Sequence, residues 1–213
     1  MATEKIRYQE WMVMPQPLSS SIVYLIRHGQ TTGDIENRFG GAYDDYLTDL
    51  GKEQSRQVAR DLNNSPLSMV YSSSLNRALE TADIIADCLD VPRGVLPEFR
   101  ECNRYGILSG MTKHEALQHH PQEVAKLKDP VGTVTGAESY RDFRQRVTAA
   151  FERLFTEGAQ GEIALVTHGG VFRLLLRDIL GLGEASVGDC ARIKLWVGQK
   201  GIRVIEQHGI NMK

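Results

Sequence analysis

The sequence predicts an α/β fold, a three-layer α/β/α sandwich with a mainly parallel central sheet. Three observations support this prediction: short apolar runs rich in β-branched residues, segments of helical periodicity between them, and polar clusters where the runs end. Strands that alternate with helices are expected to be parallel, because each helix returns the chain to the same edge of the sheet. Helices then cover both faces, which explains why the runs are apolar almost throughout.

Three apolar runs predict the central strands, and each leads directly into polar residues. The runs are residues 22–26, 68–71 and 163–166, followed by Arg27-His28-Gly29, Ser72-Ser73-Ser74 and Thr167-His168-Gly169-Gly170 respectively. In open sheets of this class ligands bind beyond the carboxyl ends of the strands, so the three clusters predict one site. Two closing strands are predicted at residues 190–197 and 202–205, around a turn at 199–201, with His208 in a C-terminal tail.

Four segments with apolar residues at helical spacing predict the covering helices. They span residues 51–63, 75–89, 140–155 and 171–180. In the third segment, for example, Phe143, Val147 and Phe151 recur on one face. No internal repeat interrupts this alternation, so we expect a single α/β unit.

Length and composition favour one globular domain. The 213 residues suffice for one sizeable core, and 41% hydrophobic and 24% charged residues are ordinary values for a globular protein. Residues 1–20 are predicted to be an N-terminal extension, because Pro15 and Pro17 interrupt regular structure ahead of the first strand. The single domain is therefore predicted to span residues 21–213.

Charge and cysteine usage exclude several classes of partner. With 25 Lys and Arg against 27 Asp and Glu, the formal net charge of -2 gives no broad positive field that would hold a nucleic acid.

No apolar run approaches the length of a membrane span and no signal peptide is evident, so we expect no membrane partner and a cytoplasmic location. Three widely spaced cysteines without a C-x-x-C pair argue against a disulfide framework and against a zinc site.

Imidazole and guanidinium groups at the strand ends are the candidate chemical groups. Arg27 and His28 follow the first strand, where Gly29 is expected to allow a sharp turn; Arg77 begins the helix after the second strand, and His168 follows the third. Each has an ordinary structural explanation on its own, such as a strand leaving the core or a capping serine beside a solvated arginine. Together they predict an anion site, because helix N-termini and cationic side chains both favour a phosphate.

The motifs at these positions resemble those of the histidine phosphatase superfamily, also called phosphoglycerate mutase-like. Its members share an Arg-His-Gly motif, a Ser-x-Leu-x-Arg-Ala-x-x-Thr-Ala segment and a late His-Gly. This chain has Arg27-His28-Gly29-Gln30-Thr31, Ser73-Ser74-Leu75-Asn76-Arg77-Ala78-Leu79-Glu80-Thr81-Ala82 and Thr167-His168-Gly169-Gly170. The resemblance extends from about residue 22 to the C-terminal strands, and it implies a phosphoglycerate mutase-like fold.

The resemblance implies a two-step phosphoryl transfer in which neutral His28 attacks phosphorus and is transiently phosphorylated. Arg27, Arg77 and His168 would stabilise the charge on the phosphoryl oxygens, without a metal or other cofactor. A carboxylic acid must protonate the departing alkoxide, and Glu101 is the residue that the resemblance suggests.

The position of that acid departs from the family pattern. Members usually place it four residues before a glycine, whereas Glu101 stands five before its glycine. Either a bulge brings Glu101 into the site, or Glu98 or Glu115 is the acid. A surface carboxylate paired with Arg100 or Arg104 is the structural alternative.

The resemblance also implies residues that bind the substrate, namely Gly29, Thr31, Asp34, Asn37, Tyr105, Lys113 and Gly169. Asp34 stands where members usually carry an Asn that contacts the phosphate, and an ionised Asp34 would repel that phosphate. Three explanations are open: Asp34 takes up a proton, it turns away to orient His28 or Arg38, or Asn37 substitutes for it. Tyr105 and Lys113 match residues that mutases use at the substrate's carboxylate, and surface positions are equally open for both.

The sequence therefore predicts a phosphatase that hydrolyses small phosphomonoesters, with a small phosphorylated metabolite as its partner. A mutase dependent on 2,3-bisphosphoglycerate is the first alternative, although the paired arginines and Pro-rich insert of typical mutases have no counterpart near residues 123–136. A non-catalytic protein that binds a phospho-ligand is the second, because of the shifted Glu101 and the acidic Asp34. A homodimer is left open.

Overall fold

A six-stranded sheet forms the centre of the computed structural model, which describes residues 20–129, 132–156, 161–198 and 201–213. Its strands are β1 (Ser21–Arg27), β2 (Leu67–Ser72), β3 (Arg93–Val95), β4 (Glu162–Thr167), β5 (Ala185–Gly198) and β6 (Gly201–Met212). They lie in the order β3-β2-β4-β1-β5-β6. The first four in that order are parallel, and β5 is antiparallel to both β1 and β6. The predicted mainly parallel sheet is confirmed, while the predicted N-terminal extension and most of the turn at 199–201 lie outside the described residues.

Helices connect and cover the strands. The main ones are α2 (Asp49–Leu62), α3 (Asn76–Leu89), α6 (Tyr140–Thr156) and α7 (Gly169–Leu174), the last continuing as a π-helical turn, Leu175–Ile179. Their bounds agree with the predicted helices to within two residues. Shorter elements are α1 (Thr32–Ile35), α4 (Lys113–His119), α5 (Pro121–Lys126) and the 3₁₀ turns Pro97–Phe99 and Gly106–Leu108. None of the described helices has the length and apolar character that crossing a lipid bilayer requires.

Apolar side chains alternate along the strands and face two separate cores. In β1, Val23 and Leu25 pack with α6 and α7, whereas Tyr24 and Ile26 pack on the other side with α2 and α3. Burial of each large apolar side chain contributes about 1.5–3 kcal/mol, so both helical layers are firmly attached to the sheet. The three-layer α/β/α sandwich is confirmed.

The C-terminal hairpin is longer than the sequence predicts. β5 begins at Ala185 and contains a register shift between Val187 and Arg192, and β6 continues to Met212. The prediction of a C-terminal tail is wrong, because His208 pairs with Arg192 inside the hairpin. A bulge and an exposed edge strand both lack the apolar alternation by which strands are recognised.

Candidate active site

Three parallel strands bring the candidate groups to one edge of the sheet. β2, β4 and β1 are neighbours in that order, so their carboxyl ends lie side by side. The chain leaves β1 at His28 and β4 at His168, and the centroids of the two imidazole rings lie 5.1 Å apart. Arg77 reaches the same point from the first turn of α3.

Arg77 lies between the two histidines and is almost wholly buried, with 5% of its side chain exposed. Its Nε donates to Nε2 of His28 at 3.2 Å and to Nδ1 of His168 at 3.3 Å. Its Nη atoms donate to the carboxylate of Asp45 and to two backbone carbonyls. The explanation of a solvated arginine beside a capping serine is therefore wrong, and α3 has no side-chain cap at its N-cap residue.

His28 is held as a neutral imidazole. Its Nδ1 lies 2.8 Å from the carbonyl oxygen of Gly29, so the hydrogen-bond pattern assigns the proton to Nδ1. Its Nε2 accepts from Arg77 and therefore presents a lone pair. Burial lowers the pKa of His28 well below its ordinary value, and the positive charges of Arg77 and Arg27 lower it further. The imidazole is consequently neutral at neutral pH, with its proton on Nδ1 and none on Nε2.

His168 is fully buried behind Arg77. Because its Nδ1 accepts from Arg77, its proton lies on Nε2, which donates to the hydroxyl oxygen of Ser73 at 2.6 Å. Burial lowers the pKa of His168 well below its ordinary value, and the positive charge of Arg77 lowers it further. Ser73 is also fully buried, and its hydroxyl oxygen fixes the tautomer of His168 by accepting this proton.

Arg27 extends from the end of β1 to the bulge in β5. Its Nη1 donates to the carbonyl oxygen of Val187 at 2.8 Å and pairs with the carboxylate of Asp189 at 3.1 Å. Burial raises the pKa of Asp189, and Arg27 offsets part of that effect. The Nε of Arg27 is buried and has no hydrogen-bond partner among the described residues. Leaving a buried donor unpaired costs about 1–3 kcal/mol, which an oxygen of a bound anion would relieve.

Gly29 is needed for close packing and not for the sharp turn expected from the sequence. Its φ angle lies outside the left-handed region. A Cβ at position 29 would lie 2.5 Å from the carbonyl oxygen of Gly51 in α2, and one at position 51 would lie 2.1 Å from that of Gln30. The two glycines let backbone touch backbone, which fixes His28 against α2.

Glu101 reaches the site despite its shifted position in the sequence. Its Oε2 accepts from the N–H of Gly170 at 2.8 Å, and its Oε1 accepts from the N–H of Cys102 at 2.8 Å. The predicted surface pairs do not form, because Arg100 pairs with Glu138 and Arg104 lies over the ring of Tyr105. Glu101 is thus held at the first turn of α7, next to His168.

The segment before Glu101 is held by two neighbouring elements. Arg146 of α6 donates to the carbonyls of Glu98 and Arg100 at 2.6 and 2.9 Å, and Thr167 of β4 donates to an intervening carbonyl at 2.8 Å. The other two candidate acids point elsewhere: Glu98 pairs with an arginine of α6, and Glu115 caps α4.

An open cavity of about 1030 Å³ lies over these groups. Of the residues predicted for the site, those that line it are Arg27, His28, Thr31, Asp34, Arg77, Glu101 and Tyr105. Gly29, His168 and Gly169 are buried behind the lining. The structure does not bring Asn37 and Lys113 to the cavity: Asn37 closes α1 with a φ of 55°, and its carbonyl accepts from the N–H of Lys113.

Asp34 lines the cavity, but its carboxylate is engaged within α1. Its Oδ2 accepts from both the N–H and the hydroxyl of Thr31, and the hydroxyl oxygen of Thr31 accepts from the N–H of Asp34. This reciprocal pair is a capping box. Asp34 orients neither of the two residues suggested from the sequence, since Arg38 pairs with Glu36 and His28 is held by Gly29.

Sequence reasoning missed several residues of the site. Ser73 and Gly170 belong to the family motifs given above, so the motifs could have identified both residues. Asp45 and Asp189 lie in a loop and in a strand bulge, where no periodicity marks them. Gly170 is notable because a Cβ there would lie 2.0 Å from Oε1 of Glu101.

The fold and these motifs together define a class of protein, and comparison with known sequences agrees. Residues 23–201 match the sequence model of the histidine phosphatase superfamily, branch 1. The match covers most of the chain, so the protein belongs to this superfamily.

Particular relatives include both mutase-like proteins and a phosphatase. The chain is 34% identical to phosphoglycerate mutase-like protein 4 of Arabidopsis thaliana over 158 residues, which are 72% of this chain and 68% of the relative. It is 33% identical to probable phosphoglycerate mutase GpmB of Yersinia pestis (strain Pestoides F) over 165 residues, 75% of each chain. The alpha-ribazole phosphatase from Shigella flexneri superposes with a TM-score of 0.77 at 23% identity, over 87% of this chain and 95% of that one, which shows a shared fold.

Proposed function

We propose that the protein is a phosphatase that hydrolyses small phosphomonoesters through a phosphohistidine on His28. One observation supports this most: His28 is buried and neutral, its proton is committed to the Gly29 carbonyl, and its Nε2 lone pair lies beside the guanidinium of Arg77. A nucleophile of this kind needs no base to remove its proton, and the adjacent cation attracts the phosphoryl group.

The first step joins Nε2 of His28 to phosphorus and breaks the bond between phosphorus and the ester oxygen. The leaving alkoxide takes a proton from Glu101 in its acid form. In the second step water attacks the phosphohistidine, Glu101 takes the proton of that water, and His28 and phosphate are released. Glu101 accepts a hydrogen bond from the first turn of α7, a position from which it can serve both steps.

Arginine side chains provide the charge stabilisation in this scheme. Arg77 and the unpaired Nε of Arg27 would bind the equatorial oxygens as charge develops on them. Removal of one such donor typically lowers the rate about 10²–10³-fold. The scheme therefore assigns to guanidinium groups the role that a metal ion has in many other phosphotransferases. We place the reaction in the cytoplasm, where the three unpaired cysteines would stay reduced.

Hydrolysis is favoured over mutase activity by the position of Lys113. That side chain is exposed and does not line the cavity, so it is badly placed to bind the carboxylate of a phosphoglycerate. The similarity to proteins named as mutases keeps the transfer reaction as the second candidate. Incubation with 3-phosphoglycerate and 2,3-bisphosphoglycerate separates the two, because a phosphatase releases phosphate and a mutase yields 2-phosphoglycerate.

Turnover of p-nitrophenyl phosphate tests the proposed function. We expect His28→Ala to lower kcat by at least about 10³-fold, as removal of a nucleophile does in other covalent catalysts. His208→Ala is the matched control, because this histidine lies in the exposed strand β6. Undiminished turnover in His28→Ala would refute the proposal. Stabilisation by phosphate without any turnover in the wild type would point instead to a non-catalytic binding protein.

A further inference from the structure

A buried carboxylate, Asp45, stands directly behind the proposed phosphate-binding arginine. Oδ1 of Asp45 accepts from Nη1 of Arg77 at 2.8 Å, and the two side chains are only 4% and 5% exposed. Neither the strand ends nor the family motifs pointed to this residue. Its partner is the group that also contacts both imidazoles of the site.

The contacts of Arg77 fix the direction of its guanidinium group. Nη1 donates to Asp45 and to the carbonyl oxygen of Tyr43 at 2.6 Å, and Nη2 donates to the carbonyl oxygen of Gly41 at 2.9 Å. Because the guanidinium is planar and rigid, holding the two Nη atoms also sets the direction of Nε. Nε consequently faces His28 and His168. All three partners lie in one short loop, residues 41–45. Among them, only the side chain of Asp45 carries a charge opposite to that of Arg77.

Electrostatics explains why one of the partners that fix Arg77 is a carboxylate. A buried guanidinium without an opposite charge is strongly destabilising, and carbonyl dipoles compensate only part of that cost. Asp45 is itself confined, because the backbone of Gly33 packs so close that a Cβ there would lie 2.4 Å from Oδ2. The ion pair therefore has little freedom to swing into the cavity.

We propose that Asp45 is a positioning residue that holds Arg77 in the orientation needed for phosphoryl transfer. This inference rests on the proposed function of the same site. Asp45 acts through Arg77: it orients the guanidinium and supplies the counter-charge that allows this cation to be buried beside two neutral histidines.

The preceding residue provides a matched control. Asp44 also binds the start of α3, but its Oδ1 accepts from the backbone N–H of Asn76 at 2.6 Å and does not contact the guanidinium. Asp44 is exposed, whereas Asp45 is buried. Asp44→Asn removes a negative charge beside the helix end without changing a contact of Arg77, and the Asp45 variants change the side-chain pair itself.

The experiment compares Asp45→Ala, Asp45→Asn and Asp44→Asn with the wild type. We expect Asp45→Ala to lower kcat for p-nitrophenyl phosphate about 10²-fold, because a displaced catalytic group loses its alignment. Asp45→Asn retains an oxygen acceptor and should recover at least about tenfold of that loss. Asp44→Asn should remain within about threefold of the wild type, since its exposed contact concerns only the helix end. Circular dichroism verifies that each variant is folded.

Binding of inorganic phosphate, measured by calorimetry, separates this inference from the proposed function. If Asp45→Ala weakens phosphate binding and Asp45→Asn restores it, the positioning role stands even where the wild type shows no turnover. Wild-type phosphate affinity together with wild-type kcat in Asp45→Ala would overturn it. So would equal losses in all three variants, because the exposed carboxylate of Asp44 does not contact Arg77.

Discussion

At the scale of single residues, the site keeps two imidazoles neutral next to two guanidinium groups. Burial is the main cause of the lowered pKa of both His28 and His168, and the charge of Arg77 adds to it. A neutral imidazole accepts hydrogen bonds, so both rings can share the Nε donor of Arg77. The same burial should be visible in the stability of the protein as a function of pH.

We predict that the free energy of unfolding falls as the pH drops below about 6.5, the ordinary pKa of an unfolded histidine. Both histidines have lower pKa values when folded, so the unfolded chain binds more protons between that pH and the folded-state values. Each histidine contributes at most about 1.4 kcal/mol per pH unit in this window. Urea unfolding of the wild type and of His168→Asn at pH 7.5 and 5.5 measures the effect. An identical pH dependence in the two proteins would contradict it.

A second prediction at this scale concerns Gly170. Gly170→Ala places a methyl group where the carboxylate of Glu101 now lies, so Glu101 must leave its hydrogen bond to α7. We expect kcat for an alkyl phosphate to fall about 10²–10⁴-fold, as for loss of a general acid. Glu101→Gln should have a similar effect, and the double variant should be little worse than either single one. Fully additive losses would show that Gly170 and Glu101 act independently.

The residues of the site were predictable to different degrees. Arg27, His28, Arg77 and His168 follow from motifs at strand ends, and the structure brings them together as expected. The counter-charges were not predictable, because Asp45 lies in an irregular loop whose path depends on tertiary packing. Asn37 and Lys113 do not line the cavity, although Asp34 and Arg38 do, because the positive φ of Asn37 and its backbone hydrogen bond to Lys113 depend on tertiary packing that no motif reveals.

At the scale of elements, helix α6 supports the acid segment from outside the cavity. Arg146 is held by Glu138 at 2.7 Å and donates in turn to the backbone just before Glu101. The element was predicted from its periodicity, but this contact was not, because it depends on which face of α6 meets the loop. The β5 bulge that carries Asp189 could not be predicted for a similar reason, and the predicted strand starts at residue 190, one residue after Asp189.

We predict that Arg146→Gln lowers kcat about tenfold while changing KM less, because the acid segment loses two of its anchoring hydrogen bonds. Arg144→Gln is the control on the same helix, since Arg144 pairs with Asp178 at the protein surface. Steady-state kinetics with an alkyl phosphate, whose leaving group needs an acid, measures both variants. Equal effects of the two substitutions would mean that α6 contributes only general stability.

At the scale of the whole molecule, a chain of net charge -2 presents a cavity with several cations at its walls. Most of them have carboxylate partners, but Arg104, Lys128 and Arg173 form no ion pair with another described residue. The cavity of about 1030 Å³ is also far larger than one phosphoryl group. These two features favour substrates that carry negative charge beyond the scissile phosphate.

We predict that a phosphomonoester with an additional carboxylate or phosphate has a KM about tenfold below that of a neutral analogue at low salt. Salt screens such attraction, so the ratio of the two KM values should approach one as sodium chloride is raised. Steady-state kinetics on a panel of phosphorylated metabolites and their neutral analogues gives both values. A preference for the neutral analogues would contradict this account of the cavity.

The most direct test of the central claim is to trap the phosphorylated enzyme. Wild-type protein is mixed with substrate, quenched within the first turnover under alkaline conditions that preserve phosphohistidine, and digested for mass spectrometry. The account predicts one added phosphoryl group on the peptide that contains His28, and none in His28→Asn. Turnover without any phosphorylated His28, or with the label on His168, would contradict it.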